Sequence, residues 1–219
     1  MNQMIVEIER ITVAFEGREV LSDFSLSVAQ GEKIAITGPS GSGKSTVLKC
    51  MLGLVVPQAG TVRLFGETVS GQTIWDLRQR LAYVGQEPDM GEGTVREVLE
   101  RPFAFKANVH LHDNLKQRPD WFARFNLPEG LLDKDMATLS GGEKQRVSLV
   151  SAGLLGRSLI LLDEASSALD QANKEAVAAF FGEAEDLTVV SIAHDSAWRS
   201  FSDRVIELSG IPFEKGEQK

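Results

Sequence analysis

The chain has 219 residues, 31 acidic against 23 basic side chains and a formal charge of −8, with an isoelectric point near 5.0. That length suits one principal domain with a minor subdomain, and the acidic surface repels nucleic acid phosphates, so no nucleic acid partner is expected. One cysteine, Cys50, excludes an internal disulfide framework and reads as a small buried residue. No apolar run approaches the roughly 20 residues that cross a bilayer. The opening "MNQMIVEIER" lacks the basic flank and apolar core of a signal peptide, so a soluble, cytoplasmic chain is expected.

In chain order, residues 5–15 ("IVEIERITVAF"), 24–28 ("FSLSV") and, more briefly, 61–66 ("TVRLFG") alternate apolar and polar side chains, the pattern of half-exposed antiparallel strands. The runs "KIAIT" (33–37), "LAYV" (81–84), "LILL" (159–162) and "TVVSIA" (188–193) are short and mostly apolar, the pattern of parallel strands covered on both faces. Helical patterns fall between them at 45–54, 140–155 and 173–181. Strand and helix alternate, which predicts an α/β fold. The stretch 88–137 breaks the rhythm with Pro88, Pro102, Pro119 and Pro128 and with Phe103, Phe105, Trp121, Phe122 and Phe125, and reads as a mainly helical insertion with an aromatic core. There is no internal repeat, and the tail after Leu208 is too short for an appended domain.

The run Gly38, Pro39, Ser40, Gly41, Ser42, Gly43, Lys44, Ser45, Thr46 follows an apolar strand and precedes a helix, the context that a phosphate-binding loop requires. Its glycines let backbone amides curl around an anion, Lys44 adds a point charge near the β and γ phosphates, and the Ser45 hydroxyl can ligate Mg²⁺. A nucleoside triphosphate is the natural occupant. In "LILLDEASSALD" the apolar strand delivers Asp163 and Glu164 to its carboxyl end, where open α/β sheets place ligands. Asp163 is positioned for the Mg²⁺ shell, and Glu164 for orienting or deprotonating a water. Further on, Ser140 and Glu143 in "LSGGEKQRV" have the spacing of a capping box, which gives a firm helix start with Gly141 and Gly142 at its positive end.

"LSGGEKQRV" resembles the signature sequence of ATP-binding cassette (ABC) ATPases. The order phosphate loop, Gln86, signature, "LILLDE", "SALD", His194 is similar to that family's motif order from end to end. The resemblance implies a P-loop NTPase with a mostly parallel central sheet, an N-terminal antiparallel β subdomain and a helical insertion at about 88–137, within one domain spanning 1–219. It implies ATP and Mg²⁺ as cofactors, and two copies packed head to tail so that Ser140, Gly141 and Gly142 of one close over the ATP held by the other. On the same basis Gln86 senses metal and attacking water and links the site to an integral membrane permease, Asp170 communicates across the dimer, and His194 stands near the γ phosphate. Phe15 occupies the place of an adenine-stacking aromatic, with a core strand residue as the competing reading.

Two stretches depart from the family pattern. Ala165-Ser166 replaces the usual proline-threonine, and "LVSAGLLGRS" lacks the frequent alanine-arginine-alanine-leucine run, which leaves open the pitch of the signature helix and the backbone around Glu164. His110, His112 and Asp113 read as an exposed loop rather than a metal site. The expected function is the ATP-hydrolysing subunit of a transporter at the cytoplasmic face of the membrane. "LSGGEKQRVSL" with "SSALDQANKEAV" looks most like iron-export type subunits, which implies a metal ion such as iron as cargo. A cell-division or membrane-complex anchor and a phosphate-loop kinase stand as alternatives.

Overall fold

The computed structural model describes residues 3–193 and 196–210. Strands β1 (Met4–Phe15) and β2 (Arg18–Ala29) form a hairpin whose two-residue loop, Glu16-Gly17, has φ of 50° and 80°. Two consecutive positive φ values are what a twisted hairpin with so short a loop needs. β3 (Lys33–Thr37) leads through the glycine-rich loop into α1 (Lys44–Met51). A second hairpin, β4 (Ala59–Leu64) and β5 (Glu67–Thr68), turns at Phe65-Gly66 with φ of 54° and 80°. α2 (Ile74–Arg78) and β6 (Leu81–Val84) follow.

Next come α3 (Val95–Glu100), α4 (Arg118–Arg124) and α5 (Gly141–Leu154), with 3₁₀ turns at Arg101–Ala104, Val109–Gln117, Glu129–Asp133 and Met136–Thr138. The chain continues with β7 (Leu159–Asp163), α6 (Gln171–Glu183), β8 (Thr188–Ile192), α7 (Ser196–Arg199) and β9 (Arg204–Glu207).

These strands form two sheets. An antiparallel sheet runs β2-β1-β4-β5 and a parallel sheet runs β6-β7-β8-β3-β9. Strand periodicity divides the parallel sheet's residues between two cores. Ile34, Ile36, Leu159, Leu161, Val190 and Ile192 pack with α1 and the antiparallel sheet. Ala35, Ile160, Leu162, Val189, Ala82 and Val84 pack with α5, α6 and the helical segment. Both faces are therefore covered, which is why these strands read as continuous apolar runs.

The helical segment between β6 and β7 is helical as expected, although much of it is 3₁₀. Phe103, Phe122 and Phe125 are buried in it, while Phe105 is exposed. Trp121 of α4 lies directly over Gly153 of α5, where any Cβ would overlap the indole. The Arg146 guanidinium, also on α5, donates to the carbonyls of Phe125 and Asn126 at 3.2 Å each and to Asn173 Oδ1 at 2.8 Å. These contacts set α5 against α4 and α6. Asp113 forms an exposed ion pair with Lys116 at 2.7 Å.

Several boundaries differ from the sequence expectation. β2 begins at Arg18 rather than 24, because the hairpin register carries pairing out to Phe15 and Arg18. The first helix stops at Met51, and α6 starts at Gln171, where the Asp170 side chain caps it. β9 had no sequence signal: Arg204–Glu207 is half polar, and its strand character comes from pairing beside β3.

Candidate nucleotide site

β3 ends at Thr37, and the backbone then winds through three glycines at positive φ, 141° at Gly38, 78° at Gly41 and 97° at Gly43. Two of them also meet tight neighbours. A Cβ on Gly38 would overlap the Leu208 carbonyl, and one on Gly43 would lie 2.7 Å from Leu21 Cδ2. Gly41, in contrast, faces open space.

Lys44 is 6% exposed and folds back over the loop, its Nζ donating to the carbonyls of Gly38 and Pro39 at 2.9 Å each. Ser42 Oγ is buried with no hydrogen-bond partner among the described residues. A buried hydroxyl left unpaired costs about 1–3 kcal/mol, so a site holding one is built for an acceptor that arrives from outside. A cationic lysine, an orphan hydroxyl and backbone amides around an open glycine fit a phosphate.

β7 carries Asp163 to the edge of this loop. Ser45 Oγ donates to Asp163 Oδ1 at 3.2 Å, and the Tyr83 hydroxyl donates to Oδ2 at 3.4 Å. Burial holds the Asp163 carboxyl above the ordinary carboxylate range, opposed by the Ser45 hydrogen bond and reinforced by the charge of Glu164. Tyr83 is likewise raised, by burial first and then by Asp163.

Glu164 has φ of 50°. A left-handed backbone at a residue other than glycine costs on the order of 1–2 kcal/mol and clusters at functional sites. Its amide donates to the Ile192 carbonyl at 3.3 Å, and its own carbonyl accepts from Ser167 at 3.0 Å, which holds the turn in place.

An open cavity of about 790 Å³ joins these parts. Phe15, Arg18 and Val20 of the first hairpin form one wall, Ser40, Gly41 and Gly43 to Thr46 the floor, and Gln86 and Glu164 the far side. Phe15 is 46% exposed, so it is not a core strand residue. A second cavity of about 670 Å³, which includes Tyr83, Pro88, Ser148 and Asp163, shares Ser45 and Gln86 with the first. Arg18 and Tyr83 were not singled out from sequence. Their only signals were proximity to Phe15 and to Gln86, and neither sits in a recognisable pattern.

The helix α5 starts elsewhere. Ser140 caps it, accepting from the Glu143 amide at 3.3 Å, while the Ser140 amide and hydroxyl both donate to Glu143 Oε2 at 2.8 Å. Those two donors hold the Glu143 carboxyl below the ordinary range. α5 is an unbroken helix over 14 residues, and Ala165 and Ser166 are buried beside it in the loop after β7. Gly142 backs onto that loop, where a Cβ would be 2.8 Å from the Ala168 carbonyl, whereas Gly141 has room. Fully buried Gln145 donates to the Gly85 carbonyl at 3.3 Å, next to Gln86.

Asp170 accepts from the Asn173 amide at 2.9 Å and from its side chain at 3.0 Å. His194 lies outside the described residues. The geometry thus brings together Phe15, the phosphate loop, Gln86, Asp163 and Glu164. Among the described residues lining the 790 Å³ cavity, none comes from the α5 start.

The family described as ABC transporter matches residues 21–167. The chain is 34% identical over 214 residues to the probable iron export ATP-binding protein FetA of Escherichia coli strain K12, covering 94% of this chain and 92% of that protein. It is 35% identical over 201 residues to the energy-coupling factor transporter ATP-binding protein EcfA1 of Lacticaseibacillus paracasei, covering 88% and 70%. Among solved structures, a bacterial Atm1-family ABC exporter with ATP bound superposes with a TM-score of 0.79 at 29% identity over 95% of this chain and 38% of the exporter chain. CbiO1 of Clostridium perfringens gives the same TM-score at 21% identity, a likeness of fold, over 94% and 85%. An extended family match, relatives at a third identity along nearly the whole length and a phosphate cradle beside two carboxylates agree, and the chain belongs to the ABC transporter family as an ATP-binding, ATP-hydrolysing subunit.

Proposed function

We propose that two copies of this chain close head to tail around two ATP molecules and that this closure drives a separate integral membrane permease. The observation that carries the reading is the split of the machinery: the nucleotide cavity holds the phosphate loop, Gln86 and Glu164, while the start of α5 lies outside its lining. A second copy brings the missing wall, with Ser140, Gly141 and Gly142 facing the γ phosphate in trans. Phe15 then stacks on adenine and Asp170 faces the partner across the contact. His194 is proposed near the γ phosphate on the family resemblance alone.

Mg²⁺ fits the donor set of Ser45 and Asp163. Both offer hard oxygens, and a buried carboxyl held above its ordinary range is one that a cation would stabilise in its charged form. Bound there with Gln86 at its edge, the ion would supply charge compensation for the phosphates. Glu164, presented by its left-handed turn toward the cavity, orients and deprotonates the attacking water. Lys44 leaves the Gly38 and Pro39 carbonyls for the phosphate oxygens, and Ser42 gains the acceptor that it lacks.

No helix among the described residues is long and apolar enough to cross a membrane, which fits a peripheral subunit at the cytoplasmic face. FetA, by its name a probable iron export ATP-binding protein, and EcfA1, by its name a transporter ATP-binding protein, support the permease reading. The likeness to FetA supports a metal ion such as iron as cargo.

The test is Glu164→Gln, which preserves phosphate and metal contacts and removes the base. Turnover should fall about 100-fold or more, and with ATP and Mg²⁺ the protein should elute at twice the 23.9 kDa protomer mass. Monomeric elution at saturating ATP overturns the sandwich. Recovery of a soluble cell-division complex, in place of an integral membrane protein, from the native chain overturns the transporter role.

A further inference from the structure

Tyr83 breaks the pattern of its strand. β6 reads as covered on both faces, yet this residue is 43% exposed between buried neighbours. The register explains where its ring goes. Tyr83 pairs with Leu161 across the parallel ladder, so Asp163, two residues further along β7, lies on the same face and diagonally ahead. The phenol leans along that diagonal, and its hydroxyl reaches Asp163 Oδ2 at 3.4 Å while Ser45 holds Oδ1 at 3.2 Å. Gly85 leaves the space: a Cβ there would lie 3.3 Å from the hydroxyl and 3.5 Å from the ring. The carboxylate is thereby gripped at both oxygens, from opposite sides, by two neutral hydroxyls.

A carboxylate that serves a divalent ion through one oxygen is oriented by what donates to the other, and losing such a donor weakens metal binding while leaving the ligand in place. We propose that Tyr83 is a positioning residue for the metal site, its hydroxyl fixing the rotation of the Asp163 carboxylate so that Oδ1 faces Ser45 and the incoming cation. This rests on Asp163 and Ser45 being the metal side of the site. It adds a residue from β6, a strand that does not line the phosphate-loop cavity. Tyrosine is suited to the task because the rigid ring spans the gap from β6 to β7 with few rotatable bonds. Phenylalanine would fill the same space and lack only the donor.

The experiment compares wild type, Tyr83→Phe and Asp163→Asn by titration with a fluorescent ATP analogue, once with Mn²⁺ in excess and once in EDTA. Tyr83→Phe should raise the Kd of the metal-loaded nucleotide about tenfold or more and leave the metal-free Kd unchanged. The Mg²⁺ concentration giving half-maximal hydrolysis should rise by a similar factor, with kcat at saturating Mg²⁺ nearly restored. Unchanged Mn²⁺-dependent binding in Tyr83→Phe, with a clear loss in Asp163→Asn, overturns the role of Tyr83 alone. Equal weakening with and without metal also overturns it, since a merely structural contact would act that way. If Asp163→Asn itself leaves the metal-loaded Kd unchanged, the metal reading of Asp163 fails first.

Discussion

The two glycine-opened helices, α1 and α5, begin in opposite ways. α1 has no side-chain cap, an orphan hydroxyl at Ser42 and a lysine parked on backbone carbonyls; its loop is incomplete without an anion. α5 is satisfied by its own chain, with Ser140 and Glu143 closing the first turn and Gly142 fitted against Ala168. One helix start is a receptor, while the other is a finished surface that can be laid against something. This difference supports the proposal that the first start takes ATP within one chain while the second serves a second copy.

The comparison breaks most severely at Lys44. Removing its charge by Lys44→Ala leaves the loop's phosphate without its one buried cation, and ATP affinity should fall about 100-fold, read by nucleotide titration with Mg²⁺. Retained affinity would mean that backbone amides alone make the receptor. At the other helix, Ser140→Gly keeps most of the capping stability and removes the hydroxyl. Its cis ATP affinity, measured on dilute monomer, should match wild type, while kcat at a protein concentration that supports dimers should drop at least about tenfold. A loss of cis affinity would place Ser140 in its own chain's site and end the distinction between the two helix starts.

What the sequence could show follows the same division. The phosphate loop, the apolar strands and Asp163-Glu164 were legible because each rests on a local pattern: glycine spacing, strand periodicity, carboxylates at a strand end. The capping box at Ser140 was equally local, and the structure contains it. The role proposed for it across a dimer rests only on resemblance, since no spacing within one chain encodes a contact with another. β9 and Tyr83 were not legible for a related reason. Arg204–Glu207 becomes a strand only through its neighbour β3, and the reach of Tyr83 to Asp163 depends on the parallel register of β6 and β7. The left-handed backbone at Glu164 could not be read either, because glutamate has no preference for it.

The glycine pair sharpens the comparison at smaller scale. The family resemblance gives Gly141 and Gly142 one shared task, closing over the ATP held by a second copy. The structure separates them, since Gly142 is required by its own chain. Gly142→Ala would press a methyl group to 2.8 Å from the Ala168 carbonyl, an overpacking expected to cost about 1–3 kcal/mol and several degrees in Tm, seen with no nucleotide present. Gly141→Ala should change stability by less than about 1 kcal/mol, and any effect should fall on ATP-dependent dimerisation. If the two variants melt alike and differ only with ATP, the pair acts purely across the dimer.

The smallest effect concerns the charge that finishes α5. Donation from the Ser140 amide and hydroxyl holds Glu143 below the ordinary carboxylate range. A carboxyl depressed in the folded state contributes stability that is present above its unfolded pKa and lost as pH falls through the folded value. The cap is open to solvent, so screening keeps this contribution below about 0.5 kcal/mol. Glu143→Gln presents an amide oxygen of the same shape that does not titrate, and a protonated glutamate is close to it in both shape and charge. The difference in urea midpoint between wild type and Glu143→Gln should therefore favour wild type near neutral pH and vanish in acid below the carboxylate range. No difference at either pH would mean that the carboxylate's charge contributes nothing to the cap and that α5 is held by packing against α4 and α6. A difference of equal size in acid would mean that the two variants differ for a reason other than charge.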